Sequence, residues 1–212
     1  MPAMGLREAK KERTREALAA AATRLFTERG YEATTVEDIA AAAEVSPRTF
    51  FRYYPLKDDV VTEIFRMGGF ETTVAARPPD EPVIASLRAA AMTVLRECAE
   101  NPAPTLAVLR MVASQPALRT RLAEAQREWT AVLTTSITTR LGAAHDPLLP
   151  RLLTNWALAT LDAVLTHWES ADGRLDLLEL TGRAFDRLAP ALDAILVSAD
   201  SQVAHTAGTT VS

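Results

Sequence analysis

The sequence predicts an all-α protein of about nine helices, a three-helix helix-turn-helix domain followed by a larger helical domain. Three observations carry this. Apolar residues recur at intervals of three and four along nearly the whole chain. No segment sustains the period-two alternation, bounded by turn residues, that a half-buried strand requires. The 12 Pro and 8 Gly fall mostly where a helical pattern stops.

The first helix spans Leu6–Arg29, with Leu18, Ala22, Leu25 and Phe26 on one face and Gly30 as a left-handed residue at its end. The second starts at the Thr34-Thr35 pair and runs through Val36, Ile39, Ala40 and Ala43. Thr34 with Glu37, or Thr35 with Asp38, can form its capping box, and the pattern does not choose between them. Ser46-Pro47 supplies an N-cap and a first-turn proline for a brief third helix, which reaches Tyr54 and is stopped by Pro55. A fourth extends from residue 57 to about 67.

Gly68-Gly69 and the proline-rich segment 77–82 mark a boundary, giving a first domain at 1–67 and a second at 68–197. The second domain reads as helices at 83–100, 103–114, 117–141, 147–171 and 174–197. Asn101-Pro102, Gln115-Pro116, Gly142 with Asp146-Pro147, and Asp172-Gly173 punctuate them. Residues 198–212 carry no clear pattern and are expected to form a disordered tail.

With 212 residues, 48% of them hydrophobic, the chain can bury a sizeable core. No run of about 18 apolar residues exists to span a membrane, and the first residues lack the apolar core of a secretory signal. The single cysteine, Cys98, excludes a disulfide framework and a thiolate metal cluster. The cytoplasm is the expected compartment. The net charge of −4 argues against a uniformly basic nucleic-acid binder. Charge is unevenly spread, however: residues 46–57 hold Arg48, Arg52 and Lys57 with no acid among them. A local positive surface is what a DNA contact needs.

The two short helices beginning at Thr35 and Ser46 are joined by a turn of about three residues, the spacing of a helix-turn-helix. The second is too short to be stable alone. Phe50 and Tyr54, four apart, can anchor it in a core with Leu25, Phe26 and Ile39. Its opposite face presents Arg48, Thr49, Arg52 and Tyr53, groups able to meet phosphates or base edges.

The stretch TRLFTERGYEATTVEDIAAAAEVSPRTFFRYYPLKDDVV resembles the TetR-family DNA-binding domain over about residues 8–65. The resemblance rests on Phe26 with Gly30-Tyr31, Thr34-Thr35 before Ile39-Ala40, Val45-Ser46, Thr49 and the aromatic cluster ending at Lys57. It implies that the helix from Ser46 to Tyr54 enters the major groove. Thr35, Thr49, Tyr53 and Lys57 then sit where family members contact the DNA backbone, and Pro47 and Arg48 where base edges are met. The chain departs from the family pattern at three positions. Glu44 occupies a turn position usually held by glycine, Phe51 replaces a common phosphate-binding tyrosine, and Arg48 replaces a small residue.

The resemblance further implies a repressor released from a palindromic operator by a small molecule, with the last two helices pairing as a four-helix dimer interface. Residues 147–171 and 174–197 are apolar on more than one side, which favours a partner beyond a single protomer. Leu161, Val164, Trp168, Phe185, Leu188 and Leu192 are the dimerisation candidates. Helices 83–141 would enclose the ligand cavity under the family plan. Arg110, Met111, Gln126, Trp129, Asn155 and Trp156, polar or aromatic residues on apolar stretches, are its candidate lining. Similarity of the recognition helix to actinobacterial-type members points to an acyl-thioester or other lipid-like effector. Double-stranded operator DNA and a second copy of the chain are the other expected partners, with no cofactor.

Catalysis and metal binding find no support. His145, His167 and His205 lie far apart, and no phosphate loop or paired-carboxylate signature occurs. The alternative to a repressor is a helical lipid- or metabolite-binding module that has lost DNA binding.

Overall fold

A computed structural model describes residues 6–65, 70–142 and 145–208, and among these no strand occurs. The helices are α1 (Leu6–Arg29), α2 (Val36–Ala42), α3 (Pro47–Tyr53), α4 (Lys57–Phe65), α5 (Phe70–Ala76), α6 (Val83–Glu100), α7 (Pro102–Ser114), α8 (Pro116–Leu141), α9 (Leu148–Ser170) and α10 (Leu177–Gly208).

Two compact units emerge. The first contains α1–α4 together with Asn101–Gln126, that is, α7 and the beginning of α8. Its core is built on Leu18, Ala22, Leu25, Phe26, Ile39, Phe50, Tyr54, Val60 and Val61, joined by Val112 of α7 and Leu118 of α8. Periodicity placed residues 101–126 with the second domain. Here they complete the first, because Val112 and Leu118 bury their apolar surface in the same core as α1. A helix's pattern shows which face is apolar; it does not name the partner.

The second unit contains α5, α6, the chain from Arg127 onward in α8, and α9 and α10. Leu87, Leu95, Ile137, Leu153, Leu161, Trp168, Leu177 and Phe185 are almost completely buried. Arg88 of α6 clasps Asp186 of α10 through Nε at 2.8 Å. Arg140, with 8% of its side chain exposed, donates to the carbonyls of Arg77 (3.2 Å) and Glu81 (3.1 Å) and so holds the segment between α5 and α6.

Two expectations are overturned. The reading of about nine helices assigned none between the boundary glycines and the proline-rich segment 77–82, yet Phe70–Ala76 forms α5. Seven residues with two adjacent threonines are too few to show a helical period, and the helix is stabilised by burial of Phe70 and Val74, one turn apart. The tail was expected to lack structure from 198, but α10 continues to Gly208. Neither proline nor glycine interrupts the sequence between Pro190 and Gly208, so nothing local ends the helix sooner.

Candidate nucleic-acid interface

The entry to α2 resolves the choice of capping box. Thr35 Oγ1 accepts from the Asp38 N–H at 3.1 Å, and the Asp38 carboxylate accepts from the Thr35 N–H at 3.0 Å. These bonds to Thr35, chiefly the backbone one, hold the Asp38 carboxyl below the usual aspartate value. Thr34 instead turns inward, buried, and its hydroxyl donates to the Gly30 carbonyl at 2.8 Å.

The turn between α2 and α3 is a Schellman closure. The Val45 N–H reaches the Ala40 carbonyl at 2.9 Å, and the Glu44 N–H reaches the Ala41 carbonyl at 3.1 Å. This requires a left-handed residue after the cap, and Glu44 takes that conformation with φ 55°. Val45 then packs on the core of the first unit.

Ser46 opens α3. Its hydroxyl accepts the Thr49 N–H at 3.2 Å, and Pro47 occupies the first turn, where a missing N–H costs nothing. Phe50 is fully buried and Tyr54 nearly so, with rings 5.6 Å apart, and they seat the helix from below. Burial pushes the Tyr54 phenol up to about 12. The outer face leaves Pro47, Arg48, Phe51 and Arg52 exposed, with Thr49 and Tyr53 half-buried. The Arg52 guanidinium lies 5.1 Å from the centre of the Tyr53 ring. Among the described residues no carboxylate pairs with Arg48 or Arg52, so this face is a net donor of hydrogen bonds and positive charge.

Ser46, Pro47, Arg48, Thr49, Arg52 and Tyr53 thus lie on or at the start of α3, and Thr35 caps the preceding α2. Lys57 is differently employed. Its Nζ donates to the carbonyls of Tyr31 (2.9 Å) and Thr34 (3.0 Å) and stands 3.9 Å from the centre of the Tyr31 ring. Burial, with help from the Asp58 carboxylate it donates to, raises the Tyr31 phenol pKa. Lys57 therefore closes the loop between α1 and α2, spending two of its three ammonium donors on these carbonyls.

The proposed ligand lining does not converge. Arg110, Met111 and Gln126 belong to the first unit; Arg110 and Gln126 are exposed, and Met111 packs on that unit's core. Trp129 is half-buried in α8, and Asn155 is exposed, donating back to the Arg151 carbonyl at 2.9 Å. Only Trp156 lines a described hollow, an open cleft of about 640 Å³ between α9 and α10. Its ring meets Phe185 edge-on at 5.0 Å, and its Nε1 finds no acceptor among the described residues.

The dimerisation candidates divide as well. Leu161, Trp168 and Phe185 are at most 1% exposed within one protomer, so its own core consumes them. Their helices looked apolar all round because α9 and α10 cover each other as well as facing outward. Val164 and Leu188 line the cleft, Leu188 being 47% exposed, and Leu192 is half-buried. The cleft surface that sequence reasoning missed comprises Ala159, Ala163 and His167 on α9 and Leu180, Arg183, Ala184 and Arg187 on α10. A signal was there: Leu180, Ala184 and Leu188 recur every four residues, as do Ala159, Ala163 and His167.

Comparison with known proteins agrees with this geometry. The profile described as "Bacterial regulatory proteins, tetR family" matches residues 18–64, and that of the "MftR C-terminal domain" matches residues 81–193. The HTH-type transcriptional regulator TcmR of Streptomyces glaucescens is 33% identical over 199 residues, covering 89% of this chain and 88% of its own. A putative mycofactocin biosynthesis transcriptional regulator, MftR of Mycobacterium tuberculosis (strain ATCC 25618 / H37Rv), is 25% identical, covering 81% and 87%. Among solved structures, the transcriptional regulator FadR from Bacillus subtilis in complex with stearoyl-CoA shares the fold. Its TM-score is 0.59 at 21% identity, over 82% of this chain and 96% of that one.

Proposed function

The chain belongs to the TetR family of bacterial regulatory proteins, and from that premise we propose a repressor released from a two-fold symmetric operator by a small apolar ligand. It is a DNA-binding transcriptional regulator. The observation that carries the mechanism is the α3 face. Phe50 and Tyr54 fix it from below, Ser46 caps it, and Arg48 and Arg52 stand exposed, with no carboxylate paired to them among the described residues. Such a helix fits the major groove, with Arg48 at base edges and Thr35, Thr49, Tyr53 and Lys57 at the backbone.

A homodimer follows from the same reading, since two half-sites need two recognition helices about 34–36 Å apart. The α9–α10 cleft supports it, because Leu188 is exposed beside the small residues Ala159, Ala163 and Ala184, which let helices approach closely. The ligand is an acyl-thioester or similar lipid-like molecule, supported by the stearoyl-CoA bound to the FadR of like fold. Its site lies in the second unit, and its differential affinity for the DNA-incompetent form drives release. The protein acts in the cytoplasm and performs no catalysis.

The test is binding of the wild type and Arg48→Ala to inverted-repeat and scrambled duplexes across a salt series, with and without stearoyl-CoA. Arg48→Ala should relax discrimination at one base position by about 1–3 kcal/mol. Equal binding of wild type to both duplexes would sink the repressor reading. Any ligand that lowers operator affinity must itself bind more weakly when operator is present.

A further inference from the structure

We propose that Phe51 reads the 5-methyl group of a thymine in the major groove, beside the base that Arg48 reaches. The inference rests on the DNA-binding reading above and adds a specificity residue to it.

Phe51 is 51% exposed, and beyond the first-turn Pro47 the other outward groups of this seven-residue helix, Arg48, Thr49, Arg52 and Tyr53, are polar or charged. Phe50 and Tyr54 already supply the anchoring of this helix. The Phe51 ring is nevertheless held: it meets the fully buried Phe50 edge-on, with centroids 5.6 Å apart and planes at 85°. That arrangement is favourable for two aromatic rings and restrains Phe51 to one outward direction.

Helical geometry sets its company. At 3.6 residues per turn, Arg48 and Phe51 project about 60° apart on the same side of the helix. A helix laid in the major groove with Arg48 at a base edge brings Phe51 to a neighbouring step. A phenyl ring offers no hydrogen bond, so it can neither hold a phosphate nor read donors and acceptors. The apolar feature that a standard base pair displays in that groove is the thymine methyl, and aromatic contact with it is a recognised mode of readout. The contact also removes from water a ring that otherwise stays half in solvent.

The experiment begins by selecting duplexes from a random pool with the wild-type protein. Thymines of the retained half-site are then replaced one at a time by deoxyuridine, which deletes only the methyl. At one position, wild-type affinity should fall about fourfold per half-site, the worth of one methyl-sized group returned to water. Phe51→Ala should bind the thymine duplex weaker by a similar factor and be indifferent to the deoxyuridine exchange. Phe51→Leu, which keeps an apolar tip, should retain part of the discrimination and guards against a fold defect in the alanine variant. Retention of no duplex by the wild type overturns the DNA-binding reading and this inference with it. A retained duplex without thymine in its half-site, or deoxyuridine penalties equal in wild type and both variants, overturns the inference alone.

Discussion

Asp59 and Arg121, 62 residues apart, tie α4 to α8 through one carboxylate. Asp59 Oδ1 accepts from Arg121 Nε at 2.7 Å and Nη2 at 2.5 Å, while its Oδ2 accepts the Leu56 N–H at 2.9 Å. A single nearly buried acid thus caps the first turn of α4 and fastens it to the beginning of α8. Arg121→Ala should leave that carboxylate without its strongest donor. We expect a stability loss of about 1–2 kcal/mol, moderated because the guanidinium is partly solvated. Urea unfolding measures it; an unchanged midpoint would mean water replaces the guanidinium without cost.

Lys57 should show two separable effects. Lys57→Met keeps the aliphatic stem but removes the donor to the Tyr31 and Thr34 carbonyls, lowering the melting temperature. It should also weaken specific and scrambled DNA alike and reduce the salt slope by about one unit. A stability loss with an unaltered salt slope would assign Lys57 to the fold alone.

The left-handed Glu44 stores strain that glycine would relieve. Glu44→Gly should stabilise the protein by about 0.5–1 kcal/mol, the side-chain clash removed exceeding the extra chain entropy. Gly30→Ala should do the reverse. A Cβ there meets nothing within 4 Å, so its cost comes from the φ of +81° alone. Paired denaturant curves should move in opposite directions.

Glu81 should set an acid-sensitive step. Hydrogen bonds, first from Arg77 and then from Ser86, hold its carboxyl at about 2, against an ordinary value of 4.5. The folded form therefore binds this proton more weakly than the unfolded chain. Its contribution is complete above pH 4.5 and is lost as pH falls towards 2. Glu81→Gln should flatten the stability profile within that window and lower stability most above it, where the carboxylate's contribution is complete. A profile identical to wild type between those pH values would contradict the assignment.

Leu188→Glu and Phe185→Asp separate interface from core. Leu188, exposed in the cleft, should yield a folded monomer by sedimentation that binds only a half-site weakly. Phe185, fully buried against Trp156, should instead unfold the second unit, because a carboxylate there has no partner. A wild-type monomer at micromolar concentration would refute the dimer.

What the sequence determined by itself was local. Gly30 as a left-handed stop, Ser46-Pro47 as a helix start and the strained Glu44 are all consequences of backbone sterics and of hydrogen bonds within a few residues. They were legible because the groups that satisfy them are neighbours in the chain. The tertiary structure decided everything that depends on a distant partner. Thr34 turns inward and Thr35 caps, although both are threonines in equivalent local settings. Lys57 closes a loop 26 residues away, and Val112 and Leu118 join the first unit's core. Trp168 and Phe185 are spent inside the protomer, while Leu188 remains outside. Periodicity reports that a face is apolar, whereas the hydrophobic effect is non-directional and leaves open which surface covers it. Only the packed arrangement distinguishes a core from an interface.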